Sequence, residues 1–162
     1  MDDKNKECCP KFDPSPWDKK TVVWKEKLFL KDSIPQFFHI PFFPMVGKKI
    51  TEMWDKAKKA KADPEMKDFL MLFYDLSPWK SEFYLSLTKD IPNENVVKLS
   101  GTFLTMVFDG PYNAVPKWIK EIEKYAKEKN KVIKKHYFYY TTCPKCAKKY
   151  GHNYVVSFTE VE

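Results

Sequence analysis

A chain of 162 residues with 43% hydrophobic and 17% aromatic content can bury a core of its own, which excludes a disordered segment or a mini-protein that needs disulfide staples. Its formal charge of +7 comes from lysine alone; with no arginine, the bidentate contacts that dominate base and phosphate recognition are missing, and no nucleic-acid partner is expected. No apolar run approaches the roughly 18 residues that cross a bilayer, and the charged start Met1-Asp2-Asp3-Lys4-Asn5-Lys6-Glu7 lacks a signal peptide's apolar centre, so a cytosolic chain without membrane contact is expected.

In chain order, residues 1–20 carry Pro10, Pro14 and Pro16 without a helical or strand period, and read as an extended arm pinned by Phe12 and Trp17. A strand follows over 22–30, then a short extended stretch over 37–40 between Pro35 and Pro41. From Met45 to about Lys61, Val46, Ile50, Met53, Trp54 and Ala57 recur at helical spacing until Asp63-Pro64 breaks the pattern. The run Lys56-Ala57-Lys58-Lys59-Ala60-Lys61 is the solvated face of that helix, so an adaptor for acidic partners, whose binding would weaken steeply with salt, ranks low. Residues 69–74 and 81–87 read as strands joined by 75–80. In the second of them, Phe83, Leu85 and Leu87 share one face and Glu82, Tyr84 and Ser86 the other.

After a linker at 91–95 the order repeats. A strand over 99–108 closes on Asp109-Gly110-Pro111, and Asn113 is expected to cap a helix bearing Val115, Trp118, Ile119, Ile122, Tyr125 and Ala126. Strands over 132–142 and 154–161 complete it. The helices align at an offset of about 69 residues, pairing Ile50 with Ile119, Glu52 with Glu121, Met53 with Ile122 and Ala57 with Ala126. The expected fold is a single α+β domain over 1–162: two strand–helix–strand–strand units (21–92 and 93–162), antiparallel sheets, two long helices and a cleft between the repeats.

Phe108-Asp109-Gly110-Pro111-Tyr112, running into a helix with Trp118, resembles the second repeat of the GyrI-like domains, which share a superfamily with the SOUL haem-binding proteins. Cys8-Cys9-Pro10-Lys11-Phe12-Asp13-Pro14, Phe38-His39-Ile40-Pro41, Ser77-Pro78-Trp79-Lys80 and the segment from Tyr140 through Cys143-Pro144-Lys145-Cys146 to Gly151 resemble a stand-alone branch often labelled hydrolase. The resemblance implies two sheet halves facing across an aromatic cleft with an acidic residue near its middle. Some members sense cationic drugs when fused to a DNA-binding domain; others hydrolyse strained cyclopropane-bearing compounds with a carboxylate and aromatic hydroxyls around a water. No helix-turn-helix is appended here, so a transcription-factor role is not implied, and fold analogy does not fix chemistry.

Glu82 is the leading catalytic candidate. On the face opposite Phe83, Leu85 and Leu87, among Trp79 and Tyr84, its carboxyl would have a raised pKa suited to a general base or to a counter-charge for a cationic ligand. Tyr139 is the second, orienting water, while Tyr137 and Tyr140 with Phe38, His39, Trp79 and Tyr84 would line a site for a small hydrophobic or aromatic ligand. Alternation sets Tyr137 and Tyr139 opposite Phe138 and Tyr140 without saying which pair meets the ligand. Neither His136 nor His152 has a Ser or Asp at a spacing that suggests a triad.

Cys143 and Cys146, two residues apart after a strand, could share a structural zinc with Cys8 and Cys9, with His152 as an alternative ligand; redox pairing and four reduced thiols remain open. The redox reading lacks the expected position between a strand and a helix. No histidine stands out as a haem ligand. The overall expectation is a small-molecule-binding domain, monomeric or homodimeric, that hydrolyses an aromatic or strained compound or else sequesters or senses its ligand.

Overall fold

A computed structural model describes residues 12–65, 68–141 and 144–162. It is a sheet-rich α+β chain with antiparallel strands and, among the described residues, three α-helices, none long and apolar enough to cross a membrane. The chain divides into two compact units. The first is Val23–Gly101; the second is Thr102–Glu162 together with the described residues up to Val22.

In the first unit, β1 (Lys20–Phe37) leads through the two-residue β2 (Ile40–Pro41) into α1 (Phe43–Lys59), then β3 (Met71–Ser77) and β4 (Lys80–Ser86). β4 lies between β1 and β3, with Ser33 and Tyr74 both opposite Glu82, and Asp32 and Phe73 both opposite Phe83. Strand alternation therefore puts Leu30, Ile34, Met71, Phe83 and Leu85 on one face, where they pack with Met53 and Ala57 of α1. Burying a side chain such as Phe83 or Leu85 contributes roughly 1.5–3 kcal/mol. Phe29, Leu72, Tyr84 and Glu82, on the opposite face, are buried as well.

α1 starts at Phe43 because Pro44 falls in the first turn, where a missing N–H is harmless. Lys56, Lys58 and Lys59 face the negative end of the helix dipole. β1 is longer than the sequence suggests, continuing through Pro35, which sits opposite Lys80. The stretch expected to be extended at 37–40 is instead a hairpin. Phe37 pairs with Ile40, and Phe38 and His39 form a two-residue turn with φ of 48° and 67°. Positive φ at both central positions is the habit of a type I′ turn, normally the place of Asn and Gly. For bulky residues that region costs roughly 1–2 kcal/mol each.

In the second unit, β5 (Val96–Asp109, crossing from the first) is followed by one 3-10 turn at Tyr112–Ala114, α2 (Val115–Glu128), β6 (Ile133–Tyr140), α3 (Pro144–Tyr150) and β7 (Tyr154–Val161). β7 lies between β5 and β6. Leu104, Met106, Phe108, Phe138 and Val155 pack with Trp118, Ile122, Tyr125 and Ala126 of α2. Trp118 stacks on Phe108 at 5.2 Å, and Gly110 is needed beside it because a Cβ there would come within 3.3 Å of the indole. The arm joins this unit: Trp17 meets Phe158 edge-on at 5.6 Å, and the Val107 N–H donates to the Asp18 carboxylate at 3.1 Å.

Asn113 does not cap α2. It lies within the 3-10 turn; Ala114 is the N-cap without a side-chain bond, and Pro116 in the first turn supplies the helix start. α3 was not expected either.

His136 lies half-buried on β6, its Nδ1 3.3 Å from Thr159 Oγ1. Burial pushes its pKa below the usual 6.5, with the Glu123 carboxylate pulling partly back. The unfolded chain then takes up the proton first, so this contribution to stability is complete above about pH 6.5 and lost as pH falls through that value towards the folded pKa. Melting temperature is expected to drop on acidification over this range, and His136→Gln should flatten that part of the profile. An identical slope in the variant would remove His136 as its source.

Candidate functional site

The most developed site in the first unit surrounds Glu82. β4 projects it from the face opposite α1, and 7% of the residue is exposed. Both oxygens are engaged: the Tyr84 hydroxyl donates to Oε1 at 3.0 Å, and Lys31 Nζ pairs with Oε2 at 2.8 Å. Register explains the company, since Lys31 lies directly opposite Tyr84 and Ser33 opposite Glu82, so all four share a face. Lys31 Nζ also stands 5.8 Å from the centre of the Tyr84 ring.

A cavity of about 350 Å³ opens here, lined by Glu82 with Lys31, Ser33, Lys80, Glu94 and Asn95 among others. Its charges are largely paired: Lys56 meets Glu94 at 3.1 Å, and Asp32, also on the wall, meets Lys49 at 3.2 Å. Among the described residues Lys80 makes no ion pair. A buried carboxylate, a phenol and an exchangeable ammonium at a water-filled mouth can bind a cation, orient a polar ligand or move a proton.

The other aromatic candidates do not line this cavity. Phe38, His39 and Trp79 gather at an exposed end of the unit, where Trp79 occupies the turn between β3 and β4 and its ring lies 5.1 Å from Phe38. The tyrosines belong to the second unit. Tyr137 is buried at 2% exposure and lies opposite Phe158, away from α2. Tyr139 shares that face and meets Phe12 edge-on at 6.5 Å. Tyr140 is on the other face, packed against the α2 cluster.

Of the proposed metal ligands, Cys8, Cys9 and Cys143 lie outside the described residues. Cys146 is buried in α3. Among the described residues no group of three or more His, Cys, Asp or Glu could hold a metal ion. The ground for setting redox aside is corrected: the Cys-x-x-Cys run falls where β6 gives way to α3, between a strand and a helix.

Two His–Asp pairs escaped the sequence reading. His39 Nδ1 lies 2.7 Å from Asp75 Oδ2 in the first unit, and His152 Nδ1 lies 2.7 Å from Asp109 Oδ2 in the second, with His152 stacked on Tyr154 at 5.0 Å. Burial pushes the Asp109 carboxyl up, but the His152 hydrogen bond, the Asn153 N–H and the His152 charge outweigh it and hold the pKa below the usual value. The partners are 36 and 43 residues apart, a separation that no local spacing motif spans.

A family model described as bacterial hydrolase matches residues 1–161. No curated protein matches the chain significantly. Among solved structures, the C-terminal domain of EcmrR superposes with a TM-score of 0.67 at 12% identity, covering 90% of this chain and 98% of that domain. EcmrR in complex with DNA gives 0.65 at 14%, with 90% of this chain spanning 57% of the regulator. A hydrolase from Listeria innocua gives 0.63 at 11%, covering 90% and 92%. SAV2435 bound to tetraphenylphosphonium gives 0.52 at 10%, covering 90% and 94%. At these identities the likeness is one of fold, and it lends no support to excluding a nucleic-acid partner.

Proposed function

The chain belongs to the bacterial hydrolase family, and from that premise we propose that it binds a small organic cation through Glu82. The observation that carries this is the buried carboxylate at the cavity, with its Lys31 counter-ion half in water (31% of the side chain exposed). The lysine stem can swing into solvent. A ligand cation would then take its place on Oε2 while the Tyr84 hydroxyl keeps its bond to Oε1. The fold shared with SAV2435, which was solved with an organic cation, fits this reading.

Tetraphenylphosphonium is a practical probe in a fluorescence titration. Glu82→Gln keeps shape and loses charge, and binding is expected to weaken at least tenfold, about 1.4 kcal/mol. Lys31→Ala, which removes the competing cation, is expected to bind about tenfold more tightly. Equal affinities in wild type and both variants would sink the proposal.

The family description favours a second reading in which Glu82 is the general base of a hydrolase and Tyr139 a hydroxyl around the attacked centre. Turnover separates the two: a product formed by wild type and lost in Glu82→Gln, with ligand still bound, marks an enzyme, whereas binding without product marks a sequestering or sensing domain.

Two finer structural proposals accompany these. Each unit runs strand–helix–strand–strand, with its last strand paired between the other two, which supports descent from one duplicated unit of GyrI-like type. A structural zinc on Cys8, Cys9, Cys143 and Cys146 would appear as stoichiometric zinc in metal analysis of the purified protein; metal-free protein of unchanged stability would dismiss it.

A further inference from the structure

The first unit ends in a cap of apolar side chains that its core does not use. Phe37, Phe38, Ile40, Phe42, Leu76 and Trp79 are 46–61% exposed. They come from three segments brought together by pairing: the β1–β2 turn, the approach to α1, and the β3–β4 turn. Phe37, Phe38 and Trp79 touch one another, with ring centres 4.5–5.8 Å apart. Single exposed hydrophobics are ordinary, but a contiguous set with three large rings is not.

This cap is built rather than loose. The Gln36 and His39 N–H groups donate to Trp79 O and Pro78 O at 2.9 and 3.1 Å, tying the two turns together. Buried Gln36 donates from Nε2 to Asp75 Oδ1 and Ser77 O, both at 2.6 Å, and His39 holds the other Asp75 oxygen. Phe38 itself sits at positive φ, where asparagine or glycine would be more stable. A bulky ring held in a strained conformation and pointed at water serves no folding purpose; such outliers mark binding sites.

The charge around the cap selects the partner. Lys48 and Lys80 are exposed beside it, the first turn of α1 carries no acid, and the Asp75 carboxylate is engaged by Gln36 and His39. Self-docking would bring these lysines face to face, which disfavours a second copy. A convex aromatic tip rimmed by lysine suits the interfacial zone of a lipid surface, where Trp and Phe enter the headgroup layer and lysines meet anionic lipid. We infer that this end of the first unit docks on the surface of an anionic bilayer. The site is independent of the Glu82 cavity, and it needs no membrane-spanning segment.

The test is sedimentation of the full chain with phosphatidylcholine vesicles, with and without phosphatidylglycerol. Wild type is expected to partition at least tenfold more strongly onto the anionic vesicles, and added salt to weaken this. Phe38→Asn removes the ring while suiting the turn. It is expected to lose at least tenfold in partitioning while its melting temperature stays or rises by a few degrees. Trp79→Ser should lose a similar factor. No partitioning of wild type above the neutral vesicles would overturn the inference, as would equal binding by Phe38→Asn. A wild-type dimer that Phe38→Asn converts to monomer, without vesicle binding, would assign the cap to self-association and overturn it too.

Discussion

Lys31→Met is expected to destabilise the protein by about 2–3 kcal/mol, while Glu82→Leu leaves it as stable as wild type or slightly more so. The asymmetry follows from burial: 9% of the Glu82 side chain is exposed against 31% of Lys31. Removing the lysine leaves a carboxylate in a low-dielectric site with one Tyr84 hydrogen bond. Breaking a fully buried pair this way costs about 3–5 kcal/mol, and the open cavity mouth and half-exposed lysine argue for less. Removing the acid instead lets the ammonium turn into water and places a hydrocarbon of similar size against Phe29, Tyr84 and Leu72, the buried neighbours of its face. Urea denaturation of the two single variants and the double variant measures both costs and their coupling, expected at about 1–2 kcal/mol. A core structural role for Glu82 would reverse the order, with Glu82→Leu the more damaging. A carboxylate kept in a buried position where leucine is at least as stable is the pattern of a ligand-binding residue.

How much of this was readable in advance can be judged residue by residue. The face carrying Glu82 and Tyr84 was legible, because β4 alternates cleanly and alternation survives any tertiary context. β7 was legible throughout, at Tyr154–Val161, and so were the buried helix positions Met53, Ala57, Ile122 and Ala126. Lys31 was not. It reaches Glu82 only through the β1–β4 register, and β1 looked shorter because Pro35 reads as a strand end, although at its place opposite Lys80 the strand runs on. The turn at Phe38-His39 was missed because it lacks the Asn and Gly that announce positive φ. α3, seven residues without an apolar period, was hidden behind its cysteine spacing. Local pattern thus gave faces and periods; partners that lie far apart along the chain had to come from register.

Replacing Gln36 carries the other large effect. Gln36→Leu keeps the volume but deletes Nε2, which donates to Asp75 Oδ1 and Ser77 O at 2.6 Å and approaches Lys80 O at 3.3 Å. Gln36 is only 5% exposed, so water cannot simply take over on the inner side. Each carbonyl left without its donor costs about 1–3 kcal/mol, and a loss of about 2–4 kcal/mol in total is expected. The damage should be local before it is global. Without the amide, the Asp75–His39 pair loses its inner anchor, and the two turns are held by backbone bonds alone. Hydrogen exchange should therefore accelerate at the Gln36 and His39 amides, which donate to Trp79 and Pro78, before it changes in α1. Vesicle partitioning should fall with it, because the Phe37–Phe38–Trp79 rings would no longer be held as one surface. Gln36→Glu sharpens the test, since it sets a carboxylate against the Ser77 and Lys80 carbonyls and the Asp75 carboxylate, and should be worse than leucine. A glutamate variant as stable as wild type would show that the amide does not fasten the cap.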